Sequence, residues 1–259
     1  MISDYKPILF NTPETLDYAE LYFLHDLQYG NENFDARKWK ALKQEILANQ
    51  HAYCVFIGDL MENATPNSKS DVFYQTATPQ EQMEWIAAEL KELSTKTLAV
   101  LAGNHERNRS TRTAGIHPLL WSCMTAGIGD RYREHFAFID IGVGTRKDVG
   151  SKRQAHYVGY LVHSAKNQKN FHSADAIEGI DFFAYGHDHQ PSDAPRGKLV
   201  YDTSNKTIRQ RDVEVINCGA YLEYGGYAPD CAHRVSAQKL YTLILRGDVK
   251  KIGSRGFHV

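Results

Sequence analysis

Leu101-Ala-Gly-Asn-His-Glu106 follows directly on the apolar run Thr97 to Leu101, whose length and content are those of a buried β-strand. An Asn-His pair at the exit of a strand is a short signal, and its weight comes from repetition. Four further segments end hydrophobic runs with Asp or His: His25-Asp26 after Glu20 to Leu24, Gly58-Asp59 after Ala52 to Ile57, His163 after His156 to Val162, and Gly186-His187-Asp188-His189 after Phe182 to Tyr185. Strands lying side by side with these residues at their exits would build one site rich in carboxylate and imidazole. Their order suits a centre for two metal ions.

The intervening chain alternates strand and helix patterns, as layered β and α elements do. Phe34 to Ala48 brings Phe34, Trp39, Leu42, Ile46 and Leu47 near helical spacing. Thr78-Pro79-Gln80-Glu81 reads as a helix start: Thr caps orphan amides, Pro suits the first turn, and Glu three positions on closes a capping box, with the helix running to about Leu93. Further strands are expected over Phe136 to Val143, Lys198 to Thr203, Val213 to Ile216 and Leu240 to Leu245, with Ser204-Asn205 as a hairpin turn. Helices are expected over Arg112 to Thr125 and Ser173 to Glu178, and Gly142 to Arg153 reads as a basic, glycine-bearing loop. The pattern predicts an α/β (α+β) fold, a four-layer αββα sandwich with two mixed β-sheets flanked by helices. One domain is expected over residues 1–259.

The chain has 259 residues with 42% hydrophobic content, enough to bury a sizeable core. Its 30 basic and 31 acidic residues leave a net charge of −1, so no global field draws it to nucleic acid or membrane, and such binding would need a local patch. Met1-Ile-Ser-Asp-Tyr-Lys-Pro lacks the basic and apolar regions of a leader, and no apolar run approaches the ~18 residues of a membrane helix. A soluble cytoplasmic protein is expected, in host cytoplasm if the gene is phage-borne. Cys54, Cys123, Cys218 and Cys231 show no close pairing and are expected as free thiols. Trp39, Trp85 and the aromatic stretch Tyr221 to Tyr227 are expected to pack rather than bind.

Together, His25-Asp26-Leu27-Gln28-Tyr29-Gly30, Gly58-Asp59-Leu60-Met61-Glu62-Asn63, Gly103-Asn104-His105-Glu106, His163 and Gly186-His187-Asp188-His189 resemble the calcineurin-like metallophosphoesterase superfamily. The pattern of that superfamily is Asp-x-His, Gly-Asp-x-x-Asp, Gly-Asn-His-Asp/Glu, a solitary His and Gly-His-x-His. The likeness spans Asp26 to His189, and Asn63-Ala64 with Pro79-Gln80-Glu81-Gln82 is similar to its bacteriophage and prophage subgroup.

The resemblance implies two divalent cations roughly 3.5–4 Å apart that share a bridging carboxylate. Asp59 is the implied bridge. One ion would take Asp26, Asp59 and His189, and the other Asp59, Asn104, His163 and His187. Carboxylate, amide and imidazole donors suit Mn, Fe or Zn. Gln28 departs from the pattern, which has His there; a Gln carbonyl can ligate or hold a water but is the weaker donor, so the first ion is expected to bind loosely and activity to need added Mn²⁺. His25 points to the opposite strand face and is read as structural. Glu62 replaces the common Asp of the second motif, and Ser164 follows His163 where Gly is frequent.

The implied chemistry is in-line attack on phosphorus by water activated by the two ions, with His105 as general acid and Arg107 and Arg109 meeting phosphate oxygens. The leading expectation is a phosphodiesterase or nuclease whose partner is a phosphoester substrate, a nucleotide or nucleic acid, helped by the basic loops at Lys152-Arg153 and Lys166 to Lys169. A protein Ser/Thr phosphatase is the competing enzyme, disfavoured because its second motif ends in Asp-Arg-Gly where this chain has Glu62-Asn63-Ala64. A non-catalytic scaffold retaining the fold is the competing non-enzyme.

Overall fold

In a computed structural model the described residues are 4–66, 68, 70–150, 152–164, 176–217, 219–225, 235–237 and 239–258. The elements in chain order begin with Ile8–Asn11 (β1), Tyr18–Leu24 (β2), Ala36–Ala48 (α1), Ala52–Ile57 (β3), Pro79–Glu92 (α2) and Thr97–Leu101 (β4). A π-helical turn over His105–Thr111 leads to Arg112–Ala114 (α3) and Pro118–Thr125 (α4). The strands Tyr132–Arg133 (β5), Phe136–Val143 (β6), Ala155–Val162 (β7), Phe182–Tyr185 (β8), Ser192–Asp193 (β9), Arg196–Asp202 (β10), Thr207–Asn217 (β11), Leu240–Arg246 (β12) and Ile252–Phe257 (β13) complete the order.

The strands form two mixed sheets. One runs β1-β6-β7-β8-β11-β10 with β9 beside β11, and the other β13-β12-β2-β3-β4-β5. In the second, β2, β3 and β4 are parallel, whereas β12 joins β2 antiparallel. In the first, β7 and β8 are parallel. The sheets meet through apolar side chains, for example Phe23 against Phe182 with ring centroids 5.9 Å apart. Each such large side chain removed from water contributes about 1.5–3 kcal/mol.

The helices form where their caps and apolar stripes direct. Asp35 accepts the amides of Arg37 and Lys38 to start α1, which buries Trp39, Leu42 and Ile46. Thr78 and Glu81 close the expected capping box, and α2 buries Ile86 and Leu90. Trp39 Nε1 donates to Glu89 Oε2 at 2.8 Å, tying α1 to α2. These helices cover the six-stranded sheet through the main core cluster. The outer face of the other sheet carries a second cluster around Phe183, Tyr185 and Val215.

The structure refines several boundaries. Helix α1 begins at Ala36 because Asp35 is its cap, and Phe34 instead packs edge-on against Tyr29 and Trp85. The single helix expected over Arg112 to Thr125 is interrupted at Gly115, whose φ of +68° cannot continue a right-handed helix. Strand β11 starts at Thr207, earlier than expected, because its polar first half pairs with β10 across the hairpin. Asp202 accepts the amides of Ser204 and Asn205 in the turn. Cys54 and Cys123 are buried free thiols. The segment Lys166 to Lys169, the 173–175 part of the expected helix, Cys218, Cys231 and positions 226–227 of the aromatic stretch lie outside the described residues. Among the described residues, no helix is long and apolar enough to cross a membrane.

Candidate metal centre

Five strand exits converge. Asp26, Asp59 and Asn104 follow the carboxyl ends of the parallel strands β2, β3 and β4, while His163 follows β7 and His187 and His189 follow β8. Ligands of open α/β sheets gather at such strand ends. Asp26, Asp59 and His163 are essentially inaccessible to solvent, whereas the His189 side chain is 27% exposed and His187 faces outward.

The backbone turns sharply to present these groups. Asp26, Gln28, Asp59, His187 and His189 all have φ between +49° and +78°. That region is uncommon for residues other than glycine, although Asp, Asn and His enter it more readily than most. The loops also pack closely. A Cβ on Gly103 would overlap the Asp59 carboxylate and amide, and one on Gly58 would overlap the Gly103 backbone, so these motif glycines are demanded by close approach.

Around Asp59 the donors form a tight group. Ligand atoms of Asp59, His163 and His187 all lie within 4.8 Å of one another. His163 Nε2 lies 3.1 Å from Asp59 Oδ2 and 3.0 Å from Asn104 Oδ1. Its other nitrogen, Nδ1, donates to the Ile57 carbonyl at 2.6 Å, which fixes the ring and aims Nε2 at the site. Near Asp26 the neighbour is His189, with Nε2 3.3 Å from Asp26 Oδ1 and 3.2 Å from Gln28 Nε2. Gln28 therefore has its amide at the Asp26–His189 end of the site, where the first ion was expected. Asp26 Oδ2 is held by His25 Nδ1 at 2.6 Å and by the His187 amide at 2.8 Å. His25 is thus a positioning group for Asp26; the expected opposite-face placement does not hold, because both residues lie beyond the end of β2 and Asp26 turns at φ +51°, which brings the two side chains together.

The electrostatics follow from crowding in a low-dielectric pocket. Burial pushes the Asp59 carboxyl upward, but His105 and His163 override it and hold the group well below the usual carboxylate range. Asp26 is likewise lowered against the effect of burial, chiefly by His189. Burial works to lower His163, yet the Asp59 and Asp26 carboxylates raise it to about 9.

These residues fit divalent cations. Asp26 Oδ1 is buried with no hydrogen-bond partner, an acceptor left open toward His189. His163 Nε2 lies within 3.1 Å of oxygen atoms of both Asp59 and Asn104, a cluster of donor atoms that a cation could join. The mixed oxygen and imidazole donors suit Mn, Fe or Zn.

His105 stands beside this group. Its backbone amide donates to Asp59 Oδ1 at 2.8 Å, its Nδ1 donates to the Met61 carbonyl at 3.1 Å, and its Nε2 lies 3.5 Å from Asp59 Oδ2. It opens the π-helical turn, an element often found at functional sites. Gln28, Asp59, Asn104, His105, Arg109, His187 and His189 share a cavity of about 1180 Å³. Tyr74 and Tyr224 also line it, whereas Tyr221 is fully buried.

The two arginines differ. Arg109 lines the cavity, but its Nη1 already donates to the Glu62 carboxylate at 2.6 Å and to the Glu62 carbonyl. Arg107 is outside the lining and instead donates to the Gly103 carbonyl and meets His135. Sequence reasoning gave Glu106 no role and read Glu62 as a group behind the ligands without naming its partners. Glu106 is 1% exposed and accepts four backbone amides, those of Asp59, Leu60, Met61 and Gly103. Glu62 accepts from Asn31 besides Arg109. Both stood in the motifs, but nothing in their spacing specified these partners.

No family model and no curated protein matches the chain. Among solved structures, it is similar to a conserved protein of Streptococcus pneumoniae TIGR4 described as a predicted phosphoesterase, at 12% identity and a TM-score of 0.34, covering 93% of this chain and 98% of that one. It is also similar to Vps29 of Chaetomium thermophilum, at 10% identity and a TM-score of 0.37 over 92% and 96% of the two chains. Vps29 of Entamoeba histolytica complexed with Zn²⁺ has 10% identity and a TM-score of 0.39 over 92% and 98%.

Proposed function

We propose that this chain is a metal-dependent phosphoester hydrolase of calcineurin-like type, acting on a phosphodiester of a nucleotide or nucleic acid. The observation that carries the reading is the convergence of Asp26, Asp59, Asn104, His163, His187 and His189 from five strand exits, with Asp26 Oδ1 buried and facing His189 Nε2 at 3.3 Å. Asp26, Asp59 and His189, with the Gln28 amide, would hold one cation. Asp59, Asn104, His163 and His187 would hold the other. Bound there, two divalent cations supply Lewis acidity toward phosphoryl oxygens and activation of water.

The chain's own groups supply orientation and the proton. His105 Nδ1–H donates to the Met61 carbonyl, so in the imidazolium form Nε2–H would be the proton given to the leaving oxygen, leaving the neutral Nδ1–H ring. Asp59 accepts the His105 amide and thereby keeps that ring at the site. Among the described lining residues, Arg109 is the sole Lys or Arg side chain, and Glu62 already neutralises part of it. That balance favours a singly charged diester over a dianionic monoester. The cavity volume of about 1180 Å³ leaves room for ester groups on both sides of phosphorus.

The test is to strip the protein of metal, restore Mn²⁺ or Zn²⁺, and measure hydrolysis of a bis-aryl phosphodiester beside an aryl monoester. Metal-dependent turnover with diester preferred, abolished in Asp59→Asn, is expected. Metal binding without turnover of either ester would overturn the enzymatic reading, and monoester preference would overturn the diester assignment.

A further inference from the structure

The hairpin formed by β10 and β11 stands at one edge of its sheet, with β10 the last strand of the path. It is unusually apolar for a solvent-facing element: Leu199 is 79% exposed, Tyr201 58%, Ile208 69% and Val200 39%. Alternation along the strand puts Leu199 and Tyr201 on one face, and the register places Ile208 beside Tyr201. The opposite face of β10 carries Lys198, Val200 and Asp202. Arg196 to Asp202 contains no proline, and among the described residues its backbone pairs with β11 on one side only. Natural proteins usually block such edges.

We propose that this edge is the interface of a homodimer, in which β10 pairs antiparallel with β10 of a second copy about a two-fold axis at Val200. A two-fold axis perpendicular to the sheet pairs residues on the same face, so the axis must pass through a residue position. Centred at Val200, each opposed pair within β10 is apolar or of opposite charge, whereas centring at Leu199 would set Lys198 against Val200 and Tyr201 against Gly197. In the Val200 register Leu199 faces Tyr201 of the other copy, Val200 faces itself, and Lys198 faces Asp202, whose carboxylate also holds Arg209 and the turn amides of Ser204 and Asn205. Centring at Lys198 would oppose two ammonium groups, and centring at Tyr201 would set Val200 against Asp202. Cross-strand pairs of apolar or opposite-charge type stabilise a sheet, and like charges opposed weaken it. The match of size and sign in one register is what commits the edge to a second copy of this chain rather than to an unrelated strand.

Sedimentation velocity of the full chain across a concentration series tests this. Twice the chain mass, growing with concentration, is expected for the wild type. Val200→Lys sets two lysines against each other on the axis and should give the single-chain mass, with the circular-dichroism spectrum of the folded chain retained and the melting temperature no longer dependent on protein concentration. As a positive arm, Val200→Cys should cross-link to a dimer on mild oxidation, because opposed antiparallel residues lie about 4.5–5.5 Å apart at Cα, within disulfide reach. Leu9→Cys, on the other edge of the same sheet, should cross-link no more than the wild type. A wild type that stays monomeric overturns the proposal, as does a dimer that survives Val200→Lys or the absence of cross-linking at position 200.

Discussion

Glu106 Oε2 accepts the backbone amide of Asp59 at 3.1 Å, while the same carboxylate also takes the amides of Gly103, Leu60 and Met61. One buried acid therefore ties the loop after β3 to the loop after β4. Burial and the nearby Asp59 charge raise its pKa, but four donors aimed at two oxygens favour the carboxylate. Glu106→Gln turns an NH₂ group against one set of amides and leaves them unsatisfied, at about 1–3 kcal/mol for the buried group. The melting temperature should fall by several degrees and metal affinity should weaken with it, measured by calorimetry. An unchanged melt would show that the clamp contributes nothing.

Replacing His105 with Ala removes the proposed proton carrier while leaving the donors of the proposed metal centre in place. Diester turnover should fall by roughly 10²–10⁴-fold, with metal content preserved. A loss smaller than tenfold, with metal content intact, would remove His105 from proton transfer.

Gln28 lies beside His189 at the end of the site where a stronger donor is expected from the motif. Under the proposed function, Gln28→His should tighten the ion proposed for the Asp26–His189 end by roughly tenfold or more, about 1.4 kcal/mol, read by chelator competition. Equal affinities for the two forms would mean that position 28 does not contact that ion.

His163 sets the pH response of the metal-free protein. Burial alone would lower its pKa, but Asp59 and Asp26 raise it to about 9, against 6.5 for the unperturbed group. A raised folded value means that the stabilising proton is fully bound below pH 6.5 and lost as pH rises through about 9. Asp59 behaves oppositely: against the upward push of burial, His105 and His163 depress it, so its contribution holds above the unperturbed value of 3.8 and fades as pH falls. The stripped protein should melt highest between these limits and progressively lower from pH 6.5 to 9. A melting temperature that rises across that interval would contradict the assignment.

Much of this was legible in the chain because each site residue terminates a run of buried apolar side chains, a pattern that survives without knowledge of which strands are neighbours. The Thr78 capping box was legible for a similar reason, since its partners are three residues apart. Contacts across long separations were not. Glu62 and Arg109 are 47 residues apart, and only the packed loops reveal that the acid already holds the arginine. The first half of β11 was missed because Thr207 to Arg211 lacks apolar alternation and takes strand form by pairing with β10. The interruption at Gly115 was missed because helical periodicity cannot register a single left-handed residue.

The twisted backbone at Asp26, Gln28, Asp59, His187 and His189 carries a lesson for anyone wishing to make this protein hardier. Glycine at any of these five places would relax the main chain, by roughly 1 kcal/mol in the simplest case, while deleting a donor. Screening for heat resistance alone would therefore tend to erase the centre, and a thermostabilised descendant that kept its chemistry would have to gain its robustness elsewhere in the molecule.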